Sequence, residues 1–398
     1  MQILINNDIF LDRKDIPSEY EESPKHIIIN SYQEFLSLSQ IKNIKMLDIM
    51  GLEVSRTSID VSNLQELESI RISYNFGLQR IEGLSSLSRL SSIYYPKQET
   101  DNCYNLLVTN ILEQLDLSEL LAKDSSNILL SIFSLPILKK KYPNFFEDFK
   151  TYSNRFIFGD ITETFLQGDV FSACTFDEAY EADSIIDNWI SENILAGMSN
   201  IEKFARIYEY VLGIDYDEKD GESKENHKIA CSAFQTLLRK KGVCVGYSQL
   251  LKYICLRCDL LCEYVQACLR GNYNAVSSED DDFLEVVPKE ENRAKLNDFI
   301  VPNHAIVRFS PDGINWLFSD PTNDSLFVRM ASEQNKKLKK WVAFCLTQAE
   351  MELYNIPYIC DYDGNRITLN SQLTQDIATQ IRNVENAMFI QNNRGKHF

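Results

Sequence analysis

The stretch Lys240-Lys241-Gly242-Val243-Cys244-Val245-Gly246-Tyr247-Ser248-Gln249-Leu250-Leu251 sets a thiol at the start of a helix. From Tyr247 onward apolar residues recur at helical spacing, through Leu250, Leu251, Ile254, Cys255 and Cys258. Gly242 and Gly246 permit a tight backbone entry, so Cys244 is expected at or just before the first turn. Free N–H groups and the positive end of the helix dipole favour a thiolate there, and the thiolate is the nucleophilic form. A cysteine in such a place is either a reactive nucleophile or a buried packing residue. The choice turns on whether the chain supplies a base.

Histidine is scarce: His26, His227, His304 and His397 are the four. His26 falls in a repeat region, His227 in a polar stretch and His397 beside the terminus. His304 opens the strand-like run His304-Ala305-Ile306-Val307-Arg308-Phe309. Ser310-Pro311-Asp312-Gly313-Ile314 is a turn sequence, and Asn315–Asp320 alternates as a second strand that Pro321 ends. With the turn centred on Asp312, His304 and Asp320 are equidistant from the centre. They are then expected directly opposite each other on one face, with Cβ atoms ~5 Å apart. That suits a carboxylate holding an imidazole ring. A turn centred one half-step later would shift the register. Cys244, His304 and Asp320, in that order, suit nucleophilic acyl transfer: thiol, base and orienting carboxylate, with backbone N–H groups near Cys244 for the oxyanion.

These residues resemble the transglutaminase-like superfamily of papain-fold cysteine enzymes. The resemblance runs from about Ile201 to Asp324. It rests on Tyr208-x-x-Val211 ahead of Tyr216-Asp217, on Gly242-Val243-Cys244-x-Gly246-Tyr247-Ser248, on the strand Cys262-Glu263-Tyr264-Val265, and on His304-Ala305 with Asp320-Pro321-Thr322. It implies the roles of nucleophile for Cys244, base for His304 and orienter for Asp320. The usual Gly-Ile-Pro after the nucleophile helix is here Asp259-Leu260-Leu261, and the usual aromatic after the catalytic His is Ile306. An aromatic near the oxyanion site is not assigned by the motif; Tyr247 and Trp316 are the candidates, with core packing as the alternative for both. The implied chemistry needs no metal or cofactor. Cys255-x-x-Cys258 with Cys262 has no second pair at zinc spacing and lies on an apolar helix face, which fits core packing.

The first hundred residues repeat. Ile41-x-x-Ile44-x-x-Leu47-x-Ile49, Leu64-x-x-Leu67-x-x-Ile70-x-Ile72 and Leu87-x-x-Leu90-x-x-Ile93-x-Tyr95 follow one another at a period of 23 residues. Such a period signals stacked units. The fullest copy, with Asn75 in the turn, resembles a leucine-rich repeat, which implies a short α/β solenoid and a possible protein partner along residues 27–98. The expected organisation is a leucine-rich-repeat-like domain at 1–105 and a helical connector at 106–184. A transglutaminase-like domain follows at 185–350, with its helix packed on an antiparallel sheet. A C-terminal hairpin and helix at 351–398 pack on that domain, making an α+β protein. The hairpin turns at Asp361–Asn365, and the helix covers 371–390. Between Arg270 and Pro302 an acidic insertion carries Glu279-Asp280-Asp281-Asp282, read either as a lid or as a solvated loop.

Bulk properties narrow the function. A net charge of −18 disfavours nucleic acid and anionic lipid as main ligands. No apolar run approaches the ~20 residues of a membrane span. The first residues lack a secretory-signal pattern, and ten cysteines without a small disulfide scaffold suggest reduced thiols and a cytoplasmic setting; export by a signal that is not N-terminal stays open. The expected function is cysteine-dependent acyl transfer on a protein or peptide carbonyl–nitrogen bond, as protease or amidase, deamidase or transglutaminase. The alternative is an inactive relative that binds proteins through its repeats.

Overall fold

In a computed structural model of the chain, the apolar residues of the 23-residue repeat pair side by side, Leu47 with Ile70 and Ile70 with Ile93, in parallel register. The structure describes residues 1–394 apart from 7, 51–56, 74–77, 95–102, 107–113, 124–126, 161–170, 218–223, 270–272, 278–282, 289–302, 339, 354–357 and 361–373. These fall into two units, Met1–Asp177 and Glu178–Phe398.

In the first unit the lateral row continues beyond the repeat. Ile27 pairs with Leu47 on one side; on the other, Ile93 pairs with Tyr104, Tyr104 with Ile128, and Ile128 with Phe156. Ile27, Leu47, Ile70, Ile93, Ile128 and Phe156 are all buried. The strands Lys25–Ile29, Ile44–Met50, Ser69–Ser73, Ser92–Tyr94, Cys103–Leu106, Asn127–Ser131 and Phe156–Asp160 thus lie parallel and in chain order. Antiparallel strands flank them: Gln2–Ile5 and Asp8–Phe10 at one edge, Phe171–Cys174 at the other. Exposed ion pairs link successive repeats at the same spacing, Lys45 to Glu68 at 2.6 Å and Arg89 to Glu66. Exposed pairs of this kind contribute little to stability; the buried row holds the stack.

The expected helical connector at 106–184 is therefore corrected. Its residues carry three more strands of the same sheet, and the first unit runs on to Asp177 rather than ending at 105. The run Asn127-Ile128-Leu129-Leu130-Ser131 is apolar on both faces because it lies inside a parallel sheet. Such a run lacks the period-2 signature and reads equally as a buried helix turn. Its α-helices among the described residues include Leu117–Lys123, Leu135–Lys141, Phe145–Asp148 and the start of Phe176–Asn193. Rings from Phe145, Phe149, Phe156, Phe158 and Phe176 pack together in that part of the core.

In the second unit, the helix Cys244–Arg257 is the central element, and all of its residues from Gly246 to Leu251 are buried. Its entry is tightly specified. Lys240 ends the preceding helix in the left-handed region (φ 56), and Lys241–Gly242 pairs in parallel with Asp215–Tyr216. The Val243 N–H then donates to the Ala230 carbonyl at 3.1 Å. A Cβ at Gly242 would overlap Thr236, and one at Gly246 would overlap both Thr236 and the Ala230 carbonyl. The two glycines thus let the incoming backbone seat against Thr236. At the other end Asp259 is left-handed (φ 57), and the Leu260 N–H closes on the Cys255 carbonyl at 2.9 Å. Asp is among the few residues other than Gly that adopt this conformation readily.

Beside this helix lies the sheet Leu317–Ser319, His304–Ser310, Leu261–Cys268 and Tyr358–Cys360, antiparallel throughout. Phe309 stacks on Phe204 at 4.1 Å, joining the sheet to the helix Asn200–Leu212. That helix begins with a full capping box, Ser199 and Glu202 exchanging hydrogen bonds. The opposite side of the sheet packs Val265, Ala267, Ile306, Phe318, Met351 and Ile359 together. The acidic insertion is not a plain loop. Tyr273–Ser277 and Phe283–Pro288 form an antiparallel pair, and the second strand also pairs with Lys337–Leu338. Glu279–Asp282 lie outside the described residues, as does the expected C-terminal turn at 361–365. The final helix is Gln375–Arg394, with Ile377, Ile381 and Val384 buried.

Gly246→Ala is expected to destabilise the protein by ~1–3 kcal/mol, as overpacking against fixed backbone does. Thermal unfolding measures this, and an unchanged midpoint would contradict the packing described at Thr236 and Ala230.

Candidate active site

Cys244 is the first residue of its helix, and the N-cap, Val243, is extended (φ −107, ψ 179) with no side-chain oxygen to cap the first-turn amides. The helix therefore turns backbone N–H groups toward its own first residue, where negative charge is favoured. Among the described cysteines Cys244 alone is half-buried; Cys174, Cys231, Cys255, Cys258, Cys262, Cys268 and Cys345 are buried. Burial raises the thiol of Cys258 to about 11 and pushes that of Cys255 up as well, consistent with packing roles.

His304 is the first residue of the strand His304–Ser310, pairing with Ala267. Just before it, the Asn303 side chain spans Leu269, donating to its carbonyl at 3.2 Å and accepting from its N–H at 2.8 Å. This extends the ladder by one step and fixes where the strand begins. His304 Nε2 lies 2.7 Å from Asp320 Oδ2, and Cys244 is close enough to His304 to help hold its proton. Because an ionised carboxylate only accepts, Nε2 is the donor to Asp320 and Nδ1 is the nitrogen left for Cys244. The structure thus brings all three sequence-selected residues together, with His304 hydrogen-bonded to Asp320 and Cys244 beside it.

The route by which Asp320 reaches His304 differs from the expected one. The observed register pairs Val307 with Ser319, Arg308 with Phe318 and Phe309 with Leu317. Continued, it sets Asp320 opposite Ile306, so His304 and Asp320 are diagonal neighbours on one face rather than directly opposed. The turn is the cause. Asp312 Oδ1 accepts from the Ile314 and Asn315 N–H groups, and Gly313 is left-handed (φ 79), which moves the centre of the hairpin from Asp312 to Gly313. Asp320 leaves the strand and becomes the N-cap of the helix Pro321–Glu333, accepting from the Asn323 N–H at 3.1 Å. Pro321 at the first helical position needs no partner for a missing N–H.

Several supporting residues were not singled out from the sequence. Asn323 Nδ2 donates to Asp320 Oδ2 at 2.7 Å. Asp324, wholly buried, accepts from the Tyr208 hydroxyl at 2.7 Å and from the Val342 and Ala343 N–H groups at 2.8 and 3.1 Å. The segment holding those amides also receives the Asp320 N–H at the Ala343 carbonyl (2.9 Å) and exchanges bonds with Phe318 through Leu346. The signal for this cluster is the run Asp320-Pro321-Thr322-Asn323-Asp324: a capping residue, a first-turn proline and polar residues that continue into a buried first turn. Of the two aromatic candidates, Tyr247 is buried with its hydroxyl donating to the Ile214 carbonyl. Trp316 stacks under the Arg308 guanidinium, 4.6 Å from the ring centre.

Burial by itself would lower the pKa of His304. The Asp320 carboxylate and the neighbouring Cys244 outweigh it and hold the imidazole up at about 10. Burial raises Asp324 to about 7 although Tyr208 and two amides donate to it, with the Asp320 charge adding to the rise. Cys244, His304 and Asp320 can therefore hold an imidazolium beside a sulfur nucleophile, with helix-terminal amides close by for an oxyanion. Among the described residues, no group of three or more His, Cys, Asp or Glu side chains is placed to hold a metal ion.

Residues 189–321 match the family model described as the transglutaminase-like superfamily. No curated protein matches the chain. Among solved structures, a candidate cysteine protease from Cytophaga hutchinsonii is 19% identical over 35% of this chain, with a TM-score of 0.23. A protein described as a TGase is 19% identical over 45%, with a TM-score of 0.25. The chain spans 37% and 38% of those two structures, respectively.

Two outcomes follow for the site. Iodoacetamide should modify Cys244 ahead of the buried thiols, and His304→Ala should slow that reaction about tenfold or more; equal rates across the thiols would contradict the geometry. In the folded protein His304 stays charged up to about pH 10, against an ordinary value of 6.5. Its contribution to stability is complete below pH ~6.5 and is lost as pH rises through ~10. Urea titrations should show the unfolding free energy falling across that window, and falling less in His304→Gln.

Proposed function

We propose that the chain is a cysteine-dependent acyl-transfer enzyme acting on the carbonyl–nitrogen bond of a protein or peptide. The observation that carries this reading is the cluster of Cys244 beside His304, itself hydrogen-bonded to Asp320, within a segment that matches the transglutaminase-like superfamily. In the first step the Cys244 sulfur attacks the carbonyl carbon. Its proton is held by His304, and the oxyanion lies against the first-turn amides of the Cys244 helix. The His304 proton passes to the departing nitrogen, the carbon–nitrogen bond breaks, and an S-acyl enzyme remains. Water or a second amine then attacks the thioester, His304 accepts the incoming proton, and the thiol is restored. Asp320 keeps the imidazole oriented and compensates its charge throughout.

Hydrolysis needs only water as second substrate, so the reading leans to protease or amidase over cross-linking. The half-buried position of Cys244 favours activity over a purely binding role, because an occluded thiol could not meet a carbonyl. The leucine-rich-repeat-like stack in residues 27–98 is proposed as a surface for a protein substrate or docking partner, since stacked repeats present extended surfaces.

Intact-mass analysis of candidate protein substrates tests the reaction. Cleavage fragments, a gain of about 1 Da from deamidation, or an amine adduct would each identify one branch of the same acyl-enzyme chemistry. Cys244→Ala is expected to abolish the product and Asp320→Asn to lower its rate by about 10²–10⁴-fold. A product formed equally by Cys244→Ala would overturn the reading.

A further inference from the structure

Asp320 is held by more than His304. Its two carboxylate oxygens are bound from the helical side by a single residue: Asn323 donates its backbone N–H to Oδ1 at 3.1 Å and its side-chain amide to Oδ2 at 2.7 Å. Oδ2 is also the oxygen that receives His304 Nε2 at 2.7 Å. Asn323 is nine-tenths buried, and Asp320 is wholly so. Pro321 has no N–H to offer, and the buried Thr322 hydroxyl makes no hydrogen bond. The first turn therefore grips the carboxylate through Asn323.

We infer that Asn323 is a positioning residue for the proposed reaction: it fixes the plane of the Asp320 carboxylate so that Oδ2 faces His304. The inference rests on the reading of Cys244, His304 and Asp320 as one catalytic unit. A free carboxylate turns about its last bond and can direct either oxygen, or neither, at the imidazole. Two donors fixed in a helical turn, one to each oxygen, remove that freedom. The shared Oδ2 also divides its acceptor capacity between an amide and an imidazole, which moderates the pull on the His304 proton. Among the described residues, the titratable groups around Asp320 include Asp324 on the same helix, Tyr208 from the helix Asn200–Leu212 and Cys345 beside Tyr208, with Cys244 reached through His304.

A simple helix-capping role makes the opposite forecast for one substitution. An ionised carboxylate is favoured in the first turn of a helix, so capping alone predicts that Asn323→Asp is tolerated and improves as it ionises. Positioning predicts harm from ionisation, because a carboxylate cannot donate to Asp320 and repels it, while the protonated acid can donate.

The test is the rate of iodoacetamide reaction at Cys244 across pH in the full-length protein, with His304→Ala, Asn323→Ala and Asn323→Asp as variants and thermal unfolding measured for each. Asn323→Ala is expected to slow the reaction about tenfold. Asn323→Asp is expected to fall below the wild type at neutral pH and to recover toward it, as a ratio at the same pH, when the solution is acidified. Asn323→Asp tracking the wild type at every pH, or gaining on it as pH rises, would overturn the inference even if Asn323→Ala fails to fold. A wild type no faster than His304→Ala would instead remove the catalytic reading on which the inference stands.

Discussion

A carboxylate with no exposure to water, as Asp320 has, is tenable only when every lone pair that faces the protein finds a donor or a cation. Most of the second unit is arranged to meet that condition. The strand His304–Ser310 brings an imidazole to Oδ2, the helix Pro321–Glu333 brings two donors from Asn323, and the Ala343 carbonyl fixes the Asp320 backbone. Removing any one partner leaves a buried charge under-satisfied, which is more damaging than the net worth of the bond itself. The pairing therefore constrains strand register, helix start and the path of residues 342–346 together.

The second carboxylate of that turn, Asp324, serves the same end by a different route. It ties Tyr208 to the Val342 and Ala343 amides, so the helix bearing Asp320 is also fastened to the helix Asn200–Leu212 and to residues 342–343. Cys244 is brought to the imidazole by backbone packing alone: Thr236 seated against Gly242 and Gly246, and the Ala230 carbonyl bonded to the Val243 N–H. The three residues of the proposed site thus stand at the start of a helix, the start of a strand and a helix cap. Precision of that kind is what effective orientation in acyl transfer requires.

How much of this is legible in the sequence depends on how local each signal is. The Cys244 helix start and the 23-residue recurrence that pairs Leu47, Ile70 and Ile93 are legible in the sequence, and the structure has each of them. The hairpin centre lies one residue beyond the expected one because a side-chain turn at Asp312 and a left-handed Gly313 look alike in sequence whichever residue is central. The pair survived because a one-residue move of the centre keeps both residues on the same face and only makes them diagonal. The strands Asn127–Ser131 and Phe156–Asp160 were hidden because continuous apolar runs carry no period of their own. Asn323 was illegible because its partner is fixed by the cap of a helix whose start, not its composition, decides the contact.

A double-mutant cycle on the buried pair tests the central claim most directly. Cys244 alkylation rates would be measured at one pH for the wild type, His304→Ala, Asp320→Ala and the double variant. If Asp320 acts only by holding His304, removing both should slow the reaction about as much as removing His304 alone, a coupling on the order of 1 kcal/mol or more. Independent effects that multiply in the double variant would contradict it, and the buried carboxylate would then be a structural feature beside the thiol rather than part of its chemistry.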